Sequence, residues 1–215
     1  MESEQQAIRH AVDRWHVDII SISFGFEGLA EHLECIQDAL LYAHYKKVVV
    51  FAAAHNDGGR RPIAYPADRL EVICIHAADA AGKPADFTPY PVVSGENFAA
   101  LGVQVPLEAL GRGGSAPAGG SISVDGTSFA TPIAAAIAAT VMEYVLTKTA
   151  SGNRAERYFA RRIKTRSGIV KVFKDHLSKP VSGEVGYRCL VPWIFFKQGA
   201  HVERYHPLLA TLEDA

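Results

Sequence analysis

Apolar side chains return at two different periods along this chain. From Glu4 to Trp15 they recur at helical spacing, with Ile8, Val12 and Trp15 on one side, and from Leu29 to Tyr45 the residues Leu33, Ile36, Leu40 and Ala43 repeat the pattern. Between and after these stretches come short runs that are apolar on both faces: Val17–Ser23, closed by Phe24-Gly25, then Val48–Ala54, then Glu71–His76. Helical stretches alternating with doubly apolar strands predict an α/β fold, a mostly parallel sheet flanked by helices. Phe98–Val103 reads as a short further strand.

Asn56-Asp57-Gly58-Gly59 is a turn cluster, and Gly111–Gly120, where six of ten residues are Gly or Pro, is a loop. That loop leads into an alanine-rich helix over Thr131–Leu146, with Pro132 near its first turn, where the missing N–H costs nothing. Small side chains on every side predict that this helix is buried. Past Lys148 the texture changes to a basic helical stretch, a polar break at Ser178–Gly183, and Tyr187–Phe196, which reads as a strand or turn packing back on the domain. The expected organisation is a main unit over 1–147 and an extension over 148–215.

With 215 residues, 48% of them hydrophobic and 21% charged, the chain can build one sizeable core. Its 22 basic and 23 acidic residues nearly cancel, so no nucleic acid and no membrane is expected as partner. The one locally basic stretch, Arg154–Lys174, reads as a solvated helix face. Cys35, Cys74 and Cys189 are odd in number and far apart, which excludes a disulfide framework and a Cys-x-x-Cys metal site; buried free thiols, no metal and no cofactor are expected. Met1–Gln6 has no basic start with an apolar stretch behind it, and the longest apolar run, Pro132–Met142, falls short of the roughly 20 residues that span a bilayer. A soluble, intracellular chain is the expectation.

One segment suggests chemistry on local grounds. Gly126-Thr127-Ser128 follows a glycine-rich loop and opens the alanine-rich helix, placing a hydroxyl where unpaired backbone N–H groups favour developing negative charge. The same residues also suit a plain N-cap on Ser128 or Thr127. Local sequence leaves both readings open. The elbow of an α/β-hydrolase needs Gly-x-Ser-x-Gly, and Ala130 takes its last position; Gly111-x-Gly113-Gly114 is no dinucleotide fingerprint.

Gly126-Thr127-Ser128-Phe129-Ala130-Thr131-Pro132 is similar to the Gly-Thr-Ser-x-Ala-x-Pro nucleophile segment of the subtilases, the subtilisin-like serine peptidases, and further segments stand in that family's order. Ala52-Ala53-Ala54-His55-Asn56 resembles the family's strand-end Ala-Ala-Gly-Asn segment, and Ser23-Phe24-Gly25 resembles the strand end along which an extended peptide lies. Ala64-Tyr65-Pro66-Ala67 resembles a wall of the primary specificity pocket. Over about Val17–Tyr144 the resemblance implies a subtilisin-like fold and an endopeptidase acting on a peptide or protein through an acyl-enzyme on Ser128. It makes the Asn56 side chain and the Ser128 N–H the oxyanion donors. Ser23, Phe24, Gly25, Ala54, His55, Tyr65 and Thr127 become the substrate-contacting residues.

Two departures from the family qualify what the resemblance implies. His55 stands where subtilases usually carry a small residue, often glycine, so its ring is expected to narrow or fill the specificity pocket. The family's Asp-Ser/Thr-Gly and His-Gly segments, which hold the catalytic aspartate and histidine, are absent from the sequence, and only sixteen residues precede Val17. A domain incomplete at its N-terminal end is therefore expected, nearly inert by itself unless a missing segment or a partner chain completes it. The alternative expectation is a pseudopeptidase, a non-catalytic module that binds peptides.

Overall fold

Strands apolar on both faces need cover on both sides, and the helices provide it. The computed structural model describes residues 2–27, 33–93, 95–108, 121–149, 154–183, 186–196, 201–213 and 215. In chain order these form α1 (Glu2–Asp13), β1 (Ile19–Ile22), α2 (Glu34–Tyr45), β2 (Val49–Ala53), β3 (Val72–Ala78), β4 (Asn97–Leu101), β5 (Val105–Glu108), β6 (Ser121–Val124) and α3 (Thr127–Lys148). The tail adds α4 (Arg154–Ile163), α5 (Arg166–Val172) running into a π-helical turn at Phe173–Leu177, β7 (Ser178–Pro180), β8 (Tyr187–Leu190), α6 (Trp193–Phe196) and α7 (His201–Glu213).

A six-stranded sheet in the order β1-β2-β3-β4-β8-β7 forms the middle layer, parallel from β1 through β8, with β7 antiparallel at the far edge. α1 and α2 close one face over Ile8, Val12, Ile36, Leu40, Val50 and Val72. α3 crosses β1 to β4 on the other, where Ala130, Ala134, Ala138 and Val141 let it lie close to Phe51, Ile73, Ile75 and Phe98. The 148–215 stretch enters this second core, with Phe173 ringed against Phe98 at 5.4 Å and Phe51 at 6.1 Å. Truncating a buried ring of that kind costs about 3–5 kcal/mol.

Four details differ from the sequence expectation, each for a local reason. Trp15 is 70% exposed because α1 ends at Asp13 and leaves it in the following turn, edge-on to His10 at 5.1 Å. β5 and β6 form a separate antiparallel pair, Val105 opposite Val124, whose strands flank the glycine-rich stretch Gly111–Gly120; that stretch lies outside the described residues. Tyr187–Phe196 divides into β8 and α6 at Pro192. α3 runs for 22 residues, past both ends of the Pro132–Met142 run, and among the described residues it is the one helix long and apolar enough to cross a membrane by length and composition. Here it covers the sheet with one side and leaves Ala136, Ala139 and Thr140 exposed on the other, so it is not buried all round as expected; Thr131 and Thr140 give their hydroxyls to the Thr127 and Ala136 carbonyls, both at 2.8 Å.

Cys35, Cys74 and Cys189 are free thiols, and burial pushes the Cys74 and Cys189 thiols above the usual range. Beside Cys74 on β3, His76 is fully buried, with Nδ1 3.2 Å from Thr88 Oγ1 and its ring edge-on to Tyr187. Burial lowers its pKa from 6.5 to about 4, opposed by hydrogen bonding to Asn97 and to the Pro89 backbone. Above pH 6.5 the ring is neutral in both states; between 6.5 and 4 only the unfolded chain takes up the proton. Urea midpoints should therefore fall across that window, with about 3 kcal/mol of stability lost to this group. A His76→Gln variant should show a flatter profile there, and an unchanged profile would remove His76 as the cause.

Candidate active site

A parallel sheet places the ends of consecutive strands side by side, and the site forms at the C-terminal ends of β1 and β2. Ile22 is level with Ala52, so Ser23-Phe24-Gly25 and Ala54-His55-Asn56 leave the sheet next to one another. The start of α3 closes on both, because Gly126 N donates to Gly102 O, at the end of β4, at 2.8 Å. Ser23, Phe24, Gly25, Ala53, His55, Asn56, Asp57, Ala64, Thr127 and Ser128 line one cavity of about 240 Å³.

Gly126 is the N-cap of α3 and makes no side-chain cap, so Thr127 and Ser128 are its first two helical residues rather than caps. Thr127 gives both its N–H (2.8 Å) and its hydroxyl (3.0 Å) to Asn56 Oδ1. With its oxygen held twice, the Asn56 carboxamide presents Nδ2 on the opposite side. A methyl group placed on Gly126 would lie 3.5 Å from that Nδ2, 3.5 Å from a Phe129 ring carbon and 3.7 Å from Ser128 N, so the position over this glycine adjoins both donors. Among the described residues the Ser128 N–H has no partner. Two donors adjoining one position beside a serine hydroxyl are what holding a tetrahedral oxyanion calls for.

Ser128 is held by a reciprocal pair with Ser23. Its hydroxyl donates to Ser23 O at 3.2 Å, while Ser23 Oγ donates to Ser128 O at 2.9 Å. The second bond has its origin in Pro132, which is the sixth residue of α3 and not in its first turn. A residue with an N–H there would bond the carbonyl four positions back, that of Ser128. Proline leaves that carbonyl free, and the Ser23 hydroxyl satisfies it, tying the helix start to the end of β1.

The remaining predicted residues divide. Ala54 is fully buried and its carbonyl accepts from Ala64 N at 2.9 Å; Ala53 and Ala64 line the cavity instead. Tyr65 pairs with Phe26 through the backbone, but its ring turns into the core under α2, donating to the Leu33 carbonyl at 3.3 Å, and burial pushes its phenol up to about 12. Gly25 is required by contact, since a Cβ there would sit 3.0 Å from the Ala64 methyl.

His55 carries a φ of +150°, a backbone region that favours glycine, and its ring stands between the Ser128 cavity and a second one of about 360 Å³ lined by Glu27, Arg61, Pro62, Ile63 and Ala64. Both ring nitrogens are engaged by Asp57: Nδ1 accepts from its N–H and Nε2 faces Oδ2, each at 3.3 Å. Neither is available to Ser128. Glu27, His55 and Asp57 bring potential metal-ligand atoms within 4.8 Å of one another, yet Arg61 pairs with Glu27 and Asp57 with His55, so the group satisfies itself. Among the described residues no histidine hydrogen-bonds Ser128.

The sequence profile described as Subtilase family, Peptidase S8, matches residues 1–167. This chain belongs to the subtilase family. It is 33% identical over 153 residues to the Subtilisin-like protease het-Q2 of Podospora anserina, covering 70% of this chain and 40% of that protein. Among solved structures, the prenylagaramide maturation protease PagA is 28% identical with a TM-score of 0.56, over 74% of this chain and 54% of its own. The patellamide maturation protease PatA shares the fold with a TM-score of 0.63 at 22% identity, covering 98% of this chain and 68% of its own. This subtilase chain thus spans two fifths of the curated relative and about half of PagA. The Ser128 motif that the sequence singled out lies inside the matched region.

Two substitutions should move stability in opposite directions. Relieving a strained φ is worth about 1–3 kcal/mol, less about 0.5–1 kcal/mol for the freedom glycine gains on unfolding. His55→Gly should therefore stabilise this subtilase chain by about 1 kcal/mol in urea titration, and His55→Ala, which keeps the strain, should not. Gly126→Ala imposes an L side chain at φ +149° and should cost about 1–3 kcal/mol.

Proposed function

We propose that this chain is the nucleophile-bearing part of a serine endopeptidase, cleaving peptide bonds through an acyl-enzyme on Ser128, with the general base and its orienting acid supplied by residues outside it. The observation that carries this reading is the Asn56 carboxamide, fixed by Thr127 so that Nδ2 and Ser128 N both adjoin the position over Gly126. Binding a peptide needs no such convergence beside a hydroxyl; stabilising an oxyanion does. Attack on the carbonyl carbon would place its oxygen between these donors while the Ser128 proton passes to the base. Collapse would then expel the amine with that proton.

Further support comes from β1. It is an edge strand, paired only with β2 among the described strands, so it offers backbone groups to an added strand. Ser23-Phe24-Gly25, exposed and irregular beyond it, suits an extended peptide. The pseudopeptidase reading has one observation in its favour, the Ser128 proton resting on the Ser23 carbonyl rather than on a base. Loss of the base alone has been measured at roughly 10⁶-fold in turnover in subtilisin itself.

A fluorophosphonate probe separates the two readings. The chain alone should label at a barely detectable rate. Co-expression with an upstream segment bearing Asp-Thr-Gly and His-Gly should raise labelling by several orders of magnitude, and Ser128→Ala should abolish it. No gain with such a segment, together with peptide binding that survives Ser128→Ala, would favour the pseudopeptidase.

A further inference from the structure

The exposed basic stretch of the tail forms part of a larger group of cations. Arg157, Arg161 and Lys164 are spaced four and three apart along α4 and the residue after it, hence on one stripe. They line a cavity of about 410 Å³ together with Lys46 and Lys47, which sit in the turn between α2 and β2. Lys47 has a φ of +64° and its N–H bonds back to the His44 carbonyl, which closes α2, while the Lys46 ammonium lies 5.4 Å from the centre of the Tyr42 ring. Asp18 is the one carboxylate on the lining, and it pairs with Lys164 at 2.9 Å. Among the described residues Lys46, Lys47, Arg157 and Arg161 have no ion pair.

The C-terminal dipoles of α2 and α4 favour a cation at each helix end. They do not account for five cations from two distant segments around one concavity, in a chain whose net charge is −1. Like charges so placed repel unless an anion lies among them, and a concave wall concentrates their field. Two arginine forks beside ammonium groups match phosphate oxygens. Asp18 immediately precedes β1 and Lys47 stands two residues before β2, so the cavity lies at the end of the sheet opposite Ser23 and Asn56.

We propose that this cavity is a binding site for clustered phosphate groups, separate from the Ser128 site and independent of the peptidase reading. The phosphates come either from a free polyphosphate anion or from a phosphorylated lipid headgroup. Titration of the full chain with inorganic tripolyphosphate should give saturable one-to-one binding that weakens as salt rises. The double variant R157Q/R161Q should lose about tenfold or more in affinity and Lys46→Gln a smaller part, while Arg60→Gln, away from the cavity, should bind as the parent does. Phosphatidylcholine vesicles carrying a phosphatidylinositol bisphosphate form the second arm: binding displaced by tripolyphosphate identifies the lipid source, and no vesicle binding identifies the free anion. The proposal is overturned if tripolyphosphate does not saturate, or if R157Q/R161Q, melting at the parent's temperature, binds it undiminished.

Discussion

Two hydrogen bonds from Thr127 to a single oxygen of Asn56 join the two parts of this site. They link the loop after β2 to the first turn of α3, segments that lie 71 residues apart in sequence. Each partner limits the other. Asn56 takes up an N–H that the helix start cannot satisfy internally, and the helix decides which way the carboxamide faces. The convergence of Nδ2 with the Ser128 N–H follows from that one orientation.

Around this link the sheet supplies position and α3 supplies rigidity. Parallel pairing brings the ends of β1 and β2 level, and the small residues of α3 let the helix lie close over them. Pro132 has a second role that its place in the motif does not announce. By withholding an N–H from the Ser128 carbonyl it leaves room for the Ser23 hydroxyl, which binds the nucleophile's residue to the strand on which a peptide would lie. His55 works against this economy, holding a glycine-like φ while its ring stands between two cavities. Backbone strain of this kind persists where the surrounding structure enforces it. Here the Asn56 loop and the paired Asp57 do so.

Periodicity in the sequence was enough to reveal the layered α/β core and its first four parallel strands, because doubly buried strands leave an unbroken apolar signature. The β5–β6 pair was not legible: Val105–Glu108 and Ser121–Val124 are short, half exposed, and separated by a long glycine-rich stretch. Ser128, Asn56 and Ser23 stood out through motif resemblance, and the structure brings all three to one cavity. What sequence did not reveal is orientation. Tyr65 sits in a matching segment yet turns its ring into the core, so Ala64 faces the cavity in its place. The basic cavity was equally hidden, since two of its five cations are Lys46 and Lys47, far from the stretch that looked basic.

The central claim is an orientation, and it can be read directly. In an isotopically labelled sample, a through-hydrogen-bond scalar coupling between the Thr127 backbone nitrogen and Asn56 Cγ reports whether the carboxamide oxygen accepts from Thr127. The account predicts that this coupling is present in the free chain, with the Asn56 Nδ2 protons exchanging readily with solvent. Its absence from an otherwise well-resolved spectrum, or protected Nδ2 protons, would mean that the carboxamide is turned the other way, and the oxyanion site would not exist as described.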